Sequence, residues 1–258
     1  NILLWHQIIN DTASDPPIVV TYDPFIDRAA VYQSVYQGRL LTFGVSGKLF
    51  ESNMLMYDRQ TNSLWHQFNG KAVVGDMTGS SLLPVKASVM PWKYAKKKFP
   101  DAKVLSRETG FERNYDEQLY DVYFKSDKLY FDISNKDARY GLKKTVYGIE
   151  IGGKSKAYPD ESLDGKWLLS DNFNDNPLLI LKNPQTGVVK VFRTYVYGTP
   201  LDFELKEDGL SDTKYGAKWN FDGACTEGAY KGWHLQEIEN TRAFWFAWSN
   251  FYPETELF

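Results

Sequence analysis

Gly70-Lys-Ala-Val-Val-Gly75-Asp-Met-Thr-Gly79-Ser-Ser-Leu82 is answered, 153 residues later, by Gly223-Ala-Cys-Thr-Glu-Gly228-Ala-Tyr-Lys-Gly232-Trp-His-Leu235. Three glycines and a leucine return at unchanged spacing, and the same offset carries Trp92 onto Trp245 and Pro100 onto Pro253. Further upstream the offset is 160. There Asp11, Asp15, Pro17, Pro24, Val31, Gly38, Leu41 and Phe43 fall on Asp171, Asp175, Pro177, Pro184, Val191, Gly198, Leu201 and Phe203, and Tyr32 falls on Phe192. Trp65 and Trp219 match with one residue of slip. The change of register fits a deletion in the second copy, opposite Gly44 to Asn62. Self-similarity at a fixed offset predicts two copies of one supersecondary unit. The matched residues are mostly Gly, Pro and large apolar types, which set turns and cores rather than chemistry.

Within one copy, short apolar runs alternate with turn residues. Ile18 to Tyr22 reads as a buried strand ended by Asp23-Pro24, and Ala29 to Tyr36 as the returning strand. Leu40 to Val45, Lys48 to Tyr57 and Ser63 to Phe68 read as further strands of a meander. Pro91 opens a helix carrying Trp92, Ala95 and Phe99 at helical spacing, and Pro100 stops it. The second copy places its helix at Arg242 to Phe251, apolar nearly all round and therefore buried. Tyr120 to Phe124 and Leu129 to Ile133 read as a hairpin about Ser126-Asp127, and Gly152-Gly153 as the turn of another. The expected fold class is mainly β: two repeated modules of short antiparallel strands, each ending in a short helix. The expected boundaries are 1–106 for the first module, incomplete at its N-terminus, 107–145 for an inter-module segment with a hairpin, and 146–258 for the second module.

Composition limits the function classes. Of 258 residues, 43% are hydrophobic and 24% charged, so the chain has enough apolar surface to fold. Aromatic residues reach 16%, which suits pleated, half-buried surfaces. A net charge of −3, with no basic stripe beyond Lys96 to Lys98, argues against nucleic acid. No apolar run approaches the ~20 residues of a membrane span. A single cysteine, Cys225, excludes an intrachain disulfide and a Cys-rich zinc site, and is expected as a small buried apolar residue.

Several segments resemble one family. Trp5-His6-Gln-Ile-Ile-Asn-Asp11, Val20-Thr-Tyr-Asp-Pro24, Phe43-Gly-Val-Ser-Gly47 and Ser52-Asn-Met-Leu-Met-Tyr-Asp-Arg-Gln-Thr61 are similar to the domain-of-unknown-function family numbered three-one-seven-nine. Tyr147-Gly-Ile-Glu-Ile-Gly-Gly153, Lys156-Ala-Tyr-Pro159, Phe244-Trp-Phe-Ala-Trp248 and Tyr252-Pro253 resemble its middle and its end, so the resemblance spans nearly the whole chain. It implies an exported protein, periplasmic, cell-envelope or extracellular, without an assigned activity. This chain departs from the family in one place: where the family reads V-T-Y-C-P-L-C, it has Asp23 and Ile26 for the two cysteines. Thiolate chemistry at that pair is therefore excluded here.

The resemblance ties His6 and Asp23 to one region, and with Asp27 and Asn53 they offer nitrogen and oxygen ligands for a divalent ion. A structural histidine beside a turn aspartate is the competing reading. Ser46, in Gly44-Val-Ser-Gly47, resembles a nucleophile elbow only in part, because the third glycine is missing and more strand follows. Asp171-Asn-Phe-Asn-Asp-Asn176 lacks the glycine of a calcium loop and reads as an Asx-turn loop. Asp58 and Arg59 read as a turn ion pair, and Met54 and Met56 as strand packing. No complete catalytic set emerges, and neither a catalytic residue nor a cofactor is assigned. The leading expectation is a non-catalytic binding or assembly role, with a protein partner or a second copy of the chain. The alternatives are a metal-binding protein or metal-dependent enzyme using His6 and Asp23, with the speculative ligand set His6, Asp23, Asp27, Ser46 and Asn53, and a carbohydrate-binding module using exposed Trp and Tyr.

Overall fold

In the computed structural model, which describes residues 1–207 and 209–258, the chain is mainly β, with antiparallel sheets and a few short helices. It divides into two units. Unit 1 comprises residues 1–87, 102–144 and 242–251, and unit 2 comprises residues 88–101, 145–241 and 252–258.

Unit 1 begins with an antiparallel sheet of Ile8–Asp11, Ile18–Asp23 and Arg28–Gln33. Val19, Thr21 and Asp23 alternate inward along the middle strand, the period of two that a pleat imposes. A two-residue ribbon, Val35–Tyr36 with Arg39–Leu40, leads into a four-stranded sheet of Phe43–Phe50, Asn53–Asp58, Leu64–His66 and Ala72–Val74. Unit 2 follows the same order. Leu168–Phe173, Asn176–Lys182, Val189–Arg193 and Gln236–Ile238 form a sheet in that order, a ribbon joins Tyr195–Val196 to Thr199–Pro200, and a second sheet holds Phe203–Lys206, Gly209–Asp212, Lys218–Trp219 and Cys225–Glu227. The hairpin of Thr145–Ile151 and Lys154–Pro159 turns on Gly152-Gly153, and Glu256–Leu257 pairs parallel to its second strand.

The correspondence extends to single side chains and single bonds. Val19, Tyr32, Leu41, Phe43, Met56, Trp65, Ala72 and Leu82 lie in the core cluster of unit 1. Leu179, Phe192, Leu201, Phe203, Leu210, Trp219, Cys225 and Leu235, the residues in register with them, lie in that of unit 2. Leu82 N donates to Gly70 O at 3.0 Å, and Leu235 N to Gly223 O at 2.8 Å. Ser34 N donates to Pro17 O, and Thr194 N to Pro177 O. Gly70 (φ 69°) and Gly223 (φ 79°) each lie against an aromatic ring, so that a Cβ would fall 2.8 Å from Tyr32 or 2.5 Å from Phe192. Both the backbone conformation and the close approach demand glycine there.

One acidic residue per unit organises the second sheet. Asp58 Oδ1 accepts from Thr61 N at 2.6 Å and its Oδ2 from Trp65 Nε1 at 2.9 Å. Asp212 Oδ1 accepts from Tyr215 N at 2.7 Å, and its Oδ2 from Ala217 N at 3.0 Å and Trp219 Nε1 at 3.2 Å. Asp58 is thus a bridge from turn to buried tryptophan. Its expected neighbour Arg59 instead donates to Phe43 O at 2.6 Å and lies over the Tyr57 ring. Met54, Met56 and Cys225 are buried, as expected from packing.

Three expected elements differ. The run Lys48 to Tyr57 is not one strand: Glu51 (φ 50°) and Ser52 (φ 59°) turn it into a hairpin, two left-handed residues in succession matching the twist of the flanking strands. The hairpin expected about Ser126-Asp127 is absent. Asp121–Phe124 is a single helical turn, with an Asp121–Lys125 ion pair of 2.5 Å, and residues 129–133 form no strand. There the aromatic side chains pack on Phe25 instead of pairing as strands, since Phe25 lies 5.5 Å from Tyr120 and 5.0 Å from Phe131 between ring centroids. The C-terminal helix begins later than expected, at Trp245–Phe251, after a strand Asn240–Phe244. Backbone bonds from Phe244 N to Ile26 O and from Trp245 N to Lys144 O hold the chain extended up to that point. The helix buries Trp245, Phe246, Ala247, Trp248 and Ser249. Among the described residues, no helix is long and apolar enough to cross a membrane.

Candidate functional site

Asp23 ends the strand Ile18–Asp23 with no exposed surface. Its Oδ1 accepts from Phe25 N at 2.9 Å, closing an Asx turn over Pro24. Asn183, the residue in register in unit 2, does the same for Gln185 N at 2.9 Å and Thr186 N at 3.0 Å. The second oxygen of Asp23 has no counterpart there. It accepts from Asn53 Nδ2 at 2.9 Å and from Met54 N at 2.6 Å.

These bonds belong to a buried polar chain inside unit 1. Asn53 Nδ2 also donates to Gln67 Oε1 at 3.0 Å, and Phe68 N donates to Asn53 Oδ1 at 3.0 Å. Gln67 Nε2 donates to Thr21 Oγ1 at 2.9 Å, and Thr21 Oγ1 donates to Ala30 O at 2.9 Å. Thr21, Asp23, Asn53 and Gln67 are all fully buried. Burial pushes the Asp23 carboxyl up to about 6, opposed by the hydrogen bonds from Met54, Phe25, Asn53 and Ile26. Above that pH it is a buried carboxylate with donors on both oxygens. Aromatic rings gather around the neighbouring Phe25, which sits edge-on to Tyr120, Tyr123 and Phe131, and Tyr123 Oη donates to Phe25 O at 2.8 Å. Burial, and then the Asp23 charge, raise both the Tyr120 and Tyr123 phenols.

The other residues singled out from sequence have separate engagements. His6 Nε2 and Tyr115 Oη lie 2.7 Å apart, with the imidazole tilted against Phe111 and Tyr115. Asp27, at φ 51°, accepts from Tyr22 Oη at 2.9 Å and pairs with Arg242 at 2.5 Å. Ser46 Oγ donates to Leu55 O at 2.5 Å across an irregular stretch of the hairpin. The hydrogen bonds thus join Asp23 to Asn53, while those of His6, Asp27 and Ser46 run to other residues. Among the described residues, no group of three or more His, Cys, Asp or Glu is placed to hold a metal ion. The stretch Asp171 to Asn176, expected as an Asx-turn loop, is instead a tight hairpin: Asp171 lies in the strand Leu168–Phe173, Asn174 (φ 49°) and Asp175 (φ 60°) make the turn, and Asp171 accepts from Tyr158 Oη at 2.8 Å and pairs with Lys156 Nζ at 2.7 Å.

Sequence reasoning missed Gln67 and Thr21. A trace of Gln67 was visible: between Trp65 and Gly70 there is one residue more than between Trp219 and Gly223. Gly70 N donates to His66 O as Gly223 N does to Asn220 O, and Phe68-Asn-Gly70 matches Phe221-Asp-Gly223, which leaves Gln67 as the extra residue. It missed His66 as well. This imidazole stacks on Phe50 at 4.8 Å and meets Phe251 edge-on at 5.3 Å, and among the described residues its Nδ1 has no hydrogen-bond partner. Burial, and then Lys71, hold it down at about 4. The folded state therefore refuses a proton that the unfolded chain takes near pH 6.5, and stability falls as pH drops from 6.5 toward 4. His66→Phe keeps the aromatic stack without the titration. Urea unfolding at pH 7 and pH 5 is expected to show a smaller loss for the variant than for the wild type. Equal losses would mean that His66 is protonated within the fold.

A mostly antiparallel β protein with a buried, saturated polar site defines a structural class and no reaction. The chain belongs to the family described as protein of unknown function (DUF3179), whose model matches residues 1–255. No curated protein and no solved structure matches it.

Proposed function

We propose that this chain is a non-catalytic, exported protein built from two copies of one β module, with a role in binding or assembly. The duplication is supported by paired turns, paired core positions and the twin aspartates Asp58 and Asp212. The observation that carries the binding role lies in residues 102–131 of unit 1. Among the described residues, seven of the twenty exposed large hydrophobic side chains fall in that stretch, including Val104, Phe111, Val122 and Tyr130. Its only regular element is Asp121–Phe124. Apolar side chains gathered on irregular, exposed backbone are the usual mark of a surface that another molecule covers.

The metal-dependent reading has less support, since both Asp23 oxygens already receive donors and the Oη of Tyr115 occupies His6 Nε2. Amine-reactive cross-linking in the native host, read by mass spectrometry, tests the binding role. Lys103, Lys125 and Lys128 are exposed and lie within the stretch. Intermolecular cross-links are expected to concentrate on these lysines. Cross-links confined to lysines elsewhere in the chain would overturn the assignment.

A further inference from the structure

Among the described residues of 145–241 the exposed large hydrophobic side chains are Tyr195, Tyr197 and Tyr215, with no aliphatic residue among them. Tyr197 is 77% exposed and Tyr215 56%. They belong to a continuous row of rings in unit 2. The Trp233 and Tyr197 centroids are 4.3 Å apart, Tyr197 and Tyr230 6.5 Å, and Tyr230 and Tyr215 5.4 Å. Tyr230 and Trp233 are anchored by partial packing on the core, so the row has a fixed base.

Unit 1 shows that this backbone does not need the rings. In register with Tyr197, Tyr215, Tyr230 and Trp233 it carries Gln37, Thr61, Met77 and Ser80. The local geometry is otherwise the same. Gln37 and Tyr197 both have φ 49° and both precede a positive-φ glycine. Thr61 N and Tyr215 N make the same bond to Asp58 and Asp212. Ser80 N donates to Met77 O at 2.9 Å, and Trp233 N to Tyr230 O at 2.8 Å. A bulky tyrosine in the left-handed region is a conformation that L side chains seldom adopt, and Gln37 shows that the turn forms without it. Tyr230 and Trp233 pack in part on the core, but the exposed rings of Tyr197 and Tyr215 sit on turns that unit 1 forms with Gln37 and Thr61.

We propose that Tyr197, Tyr215, Tyr230 and Trp233 form a stacking platform for the pyranose rings of a glycan. This goes beyond the binding role above, which concerns residues 102–131. A sugar ring has an apolar C–H face and a polar rim, and tyrosine and tryptophan offer a π-face with a polar edge still in water. A protein-docking centre would add aliphatic side chains to the patch, and none is exposed here. Lys214 Nζ lies 5.3 Å from the Tyr215 ring centre and Lys231 is exposed beside Tyr230, so a uronic acid carboxylate would find a cation at the edge of the row.

The test is a printed array of neutral and uronic oligosaccharides, followed by titration of the strongest hit using intrinsic tryptophan fluorescence. Each variant takes the residue that unit 1 carries at the same position. The wild type is expected to retain a subset of pyranose glycans, and the double variant Tyr197→Gln, Tyr215→Thr to bind the strongest at least tenfold more weakly with its melting temperature unchanged. Adding Trp233→Ser is expected to abolish binding. Three results would overturn the proposal: silence across the array, a hit whose affinity the double variant leaves unchanged, or retention of oligothymidylate in place of glycans.

Discussion

Asp23→Ala is expected to lower the unfolding free energy of unit 1 by about 3 to 5 kcal/mol at pH 7. Deleting this carboxylate leaves Met54 N and one N–H of Asn53 Nδ2 buried without an acceptor, and removes the acceptor of the half-buried Phe25 N. Each abandoned donor costs roughly 1 to 3 kcal/mol. Asp23→Asn separates the two tasks of the residue. An asparagine keeps the acceptor that closes the turn, as Asn183 does in unit 2, but sets an NH2 against two donors. An intermediate loss of about 1 to 3 kcal/mol is expected. Hydrogen exchange of residues 18–33 and 53–58 under urea localises the effect. A loss under about 1 kcal/mol for Asp23→Ala would mean that the polar chain does not hold the sheet together.

The pH dependence of the same group is a second readout. Its folded carboxyl is raised to about 6 from 3.8 by burial, so between those values the folded state holds a proton that the unfolded state has released. The contribution of Asp23 is therefore fully present below pH 3.8, falls by roughly 3 kcal/mol as pH rises to about 6, and is level above it. His66 acts in the opposite sense over an overlapping range. The wild type is thus expected to be flatter between pH 4 and 6 than either Asp23→Asn or His66→Phe.

Much of the fold was legible because turn glycines, prolines and large apolar residues recur at fixed offsets. Gly70 and Gly223 fix the approach of Tyr32 and Phe192, and Gly152-Gly153 announces its own hairpin. What could not be read depends on long-range packing. Tyr120 and Tyr123 have strand propensity, but their rings turn to Phe25, nearly a hundred residues earlier, and the backbone there coils into a helical turn. Of the candidate site, Asp23 and Asn53 were identified and are hydrogen-bonded. Gln67 carried only the trace of a one-residue slip, and Thr21 none, because a buried threonine in a β-branched run looks like any other strand residue.

The twin aspartates give the other large expected effect and the sharpest test of the two-module reading. Asp58→Ala removes the acceptor of Thr61 N, Thr61 Oγ1 and Trp65 Nε1, and Asp212→Ala that of Tyr215 N, Ala217 N and Trp219 Nε1. Both carboxylates are fully buried and both tryptophans nearly so, so each indole N–H and, in unit 2, Ala217 N are left buried without an acceptor. A loss of about 2 to 4 kcal/mol is expected for each. Hydrogen exchange should place the first loss in residues 53–66 and the second in residues 209–219. If the units are copies of one module, the same bridge does the same work in each, and the two losses should agree within about 1 kcal/mol. The bridge in unit 1 is made to a longer hairpin, Phe43–Phe50 with Asn53–Asp58 against Phe203–Lys206 with Gly209–Asp212, so any excess should fall on Asp58. A large loss at Asp212 with little at Asp58 would show that the matched positions no longer share a structural role.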